Sequence, residues 1–152
     1  MMAGLNPFDL RSVLSARHAQ HVVLIHFPIA LFICGVAFDR AGQWANNHRL
    51  LNAAHYNLLL SAISTAPAGV SGFLAWRFQL EGQKLKGLLL LHLIFGCVSI
   101  LLIWLVWWLH QRAWRKAVAL PAYGVALEFV AAVLVALTGH LGGFLSGVNM
   151  PS

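Results

Sequence analysis

"GLLLLHLIFGCVSILLIWLVWWLH" occupies residues 87–110 and contains no Asp, Glu, Lys or Arg. About 20 mostly apolar residues are enough to cross a bilayer as a helix. Helices and closed barrels alone satisfy their own backbone polar groups in lipid. This run therefore reads as a membrane-spanning helix. It also carries His92 and His110, one near each end.

Three more runs of similar length flank it. The four expected spans cover residues 20–41, 53–76, 87–110 and 122–145. The links are short and polar: "DRAGQWANNHRLLN", "RFQLEGQKLK" and "QRAWRKAVALP". Short links join antiparallel neighbours, so the expected fold is an all-α integral membrane protein, an up-down four-helix transmembrane bundle. Trp44, Trp76, Trp107, Trp108 and Trp114 sit near span ends, as interfacial tryptophans do. Pro67 is expected to kink the second span, among the small residues of "STAPAGVSG". Ala68 and Gly72 there have the four-residue spacing that lets helices approach closely. Residues 1–19 read as an interfacial segment: Asn6 can cap a short helix, Pro7 suits its first position, and Phe8, Leu10, Val13 and Leu14 supply an apolar side. Residues 146–152 form a C-terminal tail.

Composition agrees. Of 152 residues, 60% are hydrophobic and 9% charged, and mean hydropathy is +0.76. A soluble domain carries roughly 25% charged residues. The net charge is +6, but the basic residues are scattered singly in the links, where lipid headgroups explain them and nucleic acid does not. Call face A the membrane side that holds the termini and the second link. It carries Arg11, Arg17, Arg77, Lys84 and Lys86, and face B carries Arg40, Arg49, Arg112, Arg115 and Lys116. Five against five leaves orientation open. Cys34 and Cys97 lie inside apolar runs, and no CxxCH is present for covalent haem attachment. No serine or cysteine elbow with a histidine–carboxylate pair points to a hydrolase. A transporter or channel would show a polar pore stripe, and Glu128 alone is available for one.

The eight histidines are the chemistry. Counted from the expected span ends, His26, His92 and His140 lie roughly 7–9 Å inside face A, at 1.5 Å per residue. His21 points about 140° away from His26. Imidazoles suit haem iron, copper, zinc and non-haem iron. The chain's four acids lie away from this layer, which disfavours a di-iron carboxylate site. Haem b, with two histidines of the layer as axial ligands, is the expected cofactor. Gly96, Gly139, Gly142 and Gly143 would give its ring room. The alternative is that these glycines pack helices and end the last one, with each histidine bonded to a carbonyl or hydroxyl. Near face B, His55 and His110 are candidates for a second haem, and the intramembrane Glu128 is a candidate proton or quinone site. Glu128 is expected to pair with His55, His110 or Arg112.

"HVVLIHFPIALF" (21–32) resembles the HPxxVHFPIAL opening of a bacterial membrane family, domain of unknown function 2231. "AAHYNLLLSAISTAPAGVSGFLAW", "LLLHLIFG" and "LTGHLGG" resemble its later spans. Val22 stands where that family has a proline, and "FLSGVN" lacks the histidine its ending often carries. The resemblance implies a multi-pass protein of the bacterial inner membrane that keeps company with c-type cytochromes and redox assemblies, with face A toward the periplasm. It carries His21, His26, His92 and His140, with Gly142 and Gly143. The expected function is a haem-b subunit passing electrons between quinol and a partner redox protein, in a respiratory or photosynthetic complex, and not an enzyme alone. The alternative is a non-catalytic small subunit without haem.

Overall fold

The computed structural model describes residues 17–78, 82, 84–116 and 118–146. The expected interfacial helix before residue 17 and the tail after residue 146 lie outside them. Four helices follow in order: α1 Arg17–Trp44, α2 His48–Phe78, α3 Gly87–Lys116 and α4 Ala122–Leu145. All four are long and apolar enough to cross a membrane. No strand occurs among the described residues.

Three helices outrun their expected spans. α1 continues through Trp44, α2 begins at His48 and α3 continues to Lys116. The "link" residues are polar because they stand outside the hydrocarbon, and polarity does not stop a helix. The α1–α2 turn is therefore tight. Asn46 takes a left-handed φ of 47°, a conformation that Asn tolerates. The Asn47 side-chain oxygen then accepts from the backbone N–H of Arg49 at 3.0 Å and of Leu50 at 3.4 Å, capping α2. α2 runs unbroken through Pro67, and α1 through Pro28.

The helices form a ring in which α1 packs mainly on α2 and α3 on α4, with α2–α3 and α1–α4 closing the circle. α1 and α3 thus stand at opposite corners. Buried residues recur every three or four positions: Leu58, Ser61, Thr65 and Ala68 on α2, Ser99, Ile103, Val106 and His110 on α3, and Gly124, Glu128, Ala131 and Val135 on α4. Those are the narrow seams of a bundle. Phe32, Val36, Leu58, Ala62, Ile103, Val106, Ala131 and Val135 form its core. Large side chains such as Leu101, Val133 and Phe73 face outward, as lipid allows.

Buried hydroxyls are absorbed locally or across helices. Ser61 donates to the Pro28 carbonyl at 2.8 Å, and Trp104 donates to Thr65 Oγ1 at 3.1 Å. The α1–α2 contact rests on Gly35 and Gly42. A Cβ on Gly35 would lie 2.9 Å from the Leu58 side chain, and one on Gly42 would lie 2.8 Å from Leu51 and 3.0 Å from its backbone nitrogen. Gly69 is different, since its Cβ would meet only Ile100, at 3.8 Å. Both Gly35→Ala and Gly69→Ala gain helix propensity, so their difference isolates the close approach. Gly35→Ala is expected to be less stable than Gly69→Ala by about 1–3 kcal/mol, read as a lower unfolding midpoint in detergent.

Candidate functional site

Two polar centres interrupt the apolar bundle, one toward each end. The first, near face A, belongs to His21 and His92. α1 begins at Arg17 rather than Gln20, so His21 stands four residues into α1 and His92 five into α3, at matching depth. Their ring centroids are 6.5 Å apart and their planes nearly perpendicular, at 81°. Each ring is anchored at Nδ1. His92 Nδ1 lies 3.2 Å from the Thr138 carbonyl, which can only accept, so Nδ1 carries the hydrogen. His21 Nδ1 lies 3.0 Å from Ser71 Oγ, whose own hydrogen goes to the Ala68 carbonyl at 2.8 Å. His21 therefore also donates from Nδ1. In both rings the basic nitrogen is Nε2.

Glycines admit both rings. A Cβ on Gly72 would lie 2.9 Å from His21 Cε1, and one on Gly142 would lie 3.2 Å from His92 Cε1. Gly139 takes Ile29 of α1, at 3.2 Å from its absent Cβ, and Gly96 faces the Thr138 methyl at 3.9 Å. Gly143 is half-buried. The glycines of "LTGHLGG" thus clear room for helix packing and for His92.

His26 and His140, read from depth alone as partners of His92, stand on exposed faces. His26 donates from Nδ1 to the Val22 carbonyl of its own helix, and His140 packs edge-on against Phe144 at 4.8 Å. The structure brings His21 to His92 and leaves these two outside. The missed signal was the seam. His21, Pro28, Gly35 and Gly42 repeat every seven residues on α1, and His92, Gly96, Ser99, Ile103, Val106 and His110 follow three-four spacing on α3. Neither His26 nor His140 falls on such a row.

The second centre lies about 8–9 Å inside the face B helix ends, five or six residues in. Glu128 is fully buried and bonds through Oε1 to His110 Nε2. His110 Nδ1 faces Asp39 Oδ1 at 3.9 Å. Arg40 closes the ring behind them, with its Nη2 on Asp39 Oδ2 and its Nε 3.2 Å from Glu128 Oε2. Of the three partners expected for Glu128, the structure selects His110. Arg112 instead lies over the Trp108 ring, 4.7 Å from its centroid. Both nitrogens of His110 face carboxylates, which leaves neither directed at a second haem. His55 stacks on Trp114, with centroids 4.6 Å apart, and its buried Nδ1 has no hydrogen-bond partner. Asp39 and Arg40 were missed because an adjacent opposite pair at a span end reads as solvated link.

A cavity of about 390 Å³ adjoins this cluster, with Asp39, His55 and His110 in its wall and Gln43, His48 and Asn52 among its polar lining. The bundle is thus an integral membrane protein of four helices with a histidine pair near one end and a buried ionisable cluster near the other. It belongs to a family of predicted membrane proteins, domain of unknown function 2231, which matches residues 17–148. No curated protein matches it. No solved structure matches it.

Removing the Glu128 side chain empties a fully buried seam position and leaves the buried His110 Nε2 without its carboxylate partner. Glu128→Ala is expected to cost about 3–5 kcal/mol, measured by denaturant unfolding in detergent. Arg112→Ala is expected to leave the midpoint where it was.

Proposed function

We propose that this protein is a haem-binding subunit of a membrane electron-transfer assembly, in which His21 and His92 would hold the haem iron. The observation that carries the reading is the number of ligands. Among the described residues, the only group of three or more His, Cys, Asp or Glu close enough to share an ion is Asp39, His110 and Glu128. The His21–His92 pair therefore has no third such ligand in reach among the described residues. A bare zinc ion asks for four ligands, at least three of them from protein. A haem brings four nitrogens of its own and asks for two.

The surroundings support the same donor set. Ser71 and the Thr138 carbonyl hold Nδ1–H of the two imidazoles, the outer-shell pattern that orients a metal-bound histidine and raises its basicity. α2 and α4, which lie between the two ligand helices, present Ala68, Ser71, Gly72 and Ala75 and Thr138, Gly139, Gly142 and Gly143 at this depth. No bulky side chain among these eight would meet a planar ring. When bound, haem supplies a one-electron iron couple. The chain's own part is to hold the two imidazoles, to exclude water, and to keep Nε2 basic. In this reading electrons pass between a quinol and a partner redox protein such as a c-type cytochrome, and the bacterial inner membrane is the setting.

A haem-free accessory subunit is the second reading. It is favoured by the direct seat of each imidazole on a glycine, which serves packing as well as ligation. A dithionite-reduced minus oxidised spectrum of the purified protein separates the two. Sharp α and Soret bands are expected, lost in His21→Ala and in His92→Ala and kept in His26→Ala and His140→Ala. A featureless spectrum in protein isolated with its native partners would leave the haem-free reading standing.

A further inference from the structure

The face B cluster is built as a set of charges that do not balance. Asp39 and Glu128 bring two negative charges and Arg40 brings one positive. With a neutral His110 the sum is minus one, held where the Glu128 side chain is 0% exposed, Asp39 5% and His110 9%. An uncompensated charge inside a membrane protein is costly. One added proton brings the sum to zero. A divalent cation would bring it to plus one, so Arg40 disfavours a metal ion on the same three donors.

The geometry points to a site that binds one exchangeable proton, shared between His110 and Glu128 and reached from face B through the adjoining cavity. His110 is placed to hold it. Nε2 bonds to Glu128 Oε1 and Nδ1 faces Asp39 Oδ1 at 3.9 Å, so an imidazolium here donates to Glu128 and stands within ion-pair reach of Asp39. Arg40 lies against the other oxygen of each carboxylate, bonded to Asp39 Oδ2 and within ion-pair distance of Glu128 Oε2 at 3.2 Å, without a hydrogen bond to the latter. The cavity has Gln43, His48 and Asn52 in its lining and is large enough for several waters. The other titratable groups facing the cavity are His48 and His55 of α2. His55 Nδ1 has no hydrogen-bond partner of its own, which leaves it available to a water on that path. On uptake a proton from the face B solution joins His110 or Glu128, and on release it returns the same way.

Charge counting fixes the outcome for variants. The wild type holds one proton. Glu128→Gln removes a negative charge and holds none. Arg40→Met leaves minus two and holds two. Arg40→Met with Glu128→Gln returns to one, and Arg40→Lys stays at one. The readouts are ¹⁵N-histidine spectra, which distinguish a doubly protonated ring from a neutral one, and the infrared carbonyl band of a protonated carboxyl. Both are taken on the detergent-solubilised chain at neutral pH. The expected result is one proton in wild type, on His110 or on Glu128, and a neutral His110 with no protonated carboxyl in Glu128→Gln. The proton should exchange promptly in heavy water. A neutral His110 beside two ionised carboxylates in wild type would overturn the proposal. So would a doubly protonated His110 that survives Glu128→Gln, a metal ion found on the cluster, or a proton that resists exchange for days. The wild-type measurement stands even if a variant fails to fold.

Discussion

Helices already surrounded by lipid gain little from hiding apolar surface from one another. They associate where backbones come close and where polar side chains find partners. In this bundle both conditions are met on the same seams. Gly35 and Gly42 set α1 against α2 through Leu58 and Leu51. Ser61, Thr65 and Ser71 follow along α2, each with its hydroxyl bonded. The two polar centres are continuations of those seams. Gly72 and Gly142 admit the imidazoles at one end, and Glu128 and His110 occupy the seam positions at the other.

The number and order of the helices were legible in hydropathy alone, since bilayer thickness dictates run length. Helix ends were not, because residues such as Gln43 and Arg49 meet water whether or not they are helical. The candidate site was half legible. His92, Gly142 and Glu128 announce themselves as polar or side-chain-free positions in apolar runs. Pairing them needs rotation as well as depth. Depth gathered His26, His92 and His140, whereas the seven-residue row through His21, Pro28, Gly35 and Gly42 turns His21 inward and His26 out. Asp39 and Arg40 were illegible for another reason. Their importance comes from what α3 and α4 bring to the same depth.

The two centres differ in kind. At the histidine pair, Nδ1 of His21 meets the Ser71 hydroxyl and Nδ1 of His92 meets the Thr138 carbonyl, both neutral groups. At the face B cluster formal charges are close together and the cavity stands beside them.

The wiring of the face B cluster also bears on biogenesis. Asp39 and Arg40 are neighbours on α1 and already pair with each other, while His110 and Glu128 pair within the α3–α4 hairpin. The contacts that join the halves, Arg40 to Glu128 and His110 to Asp39, are the longer ones at 3.2 and 3.9 Å. Each hairpin can therefore leave the insertion machinery with its charged groups already coupled in-house. Docking of the two hairpins then has only the longer contacts left to make, and each ionisable side chain of the cluster has a partner within its own half.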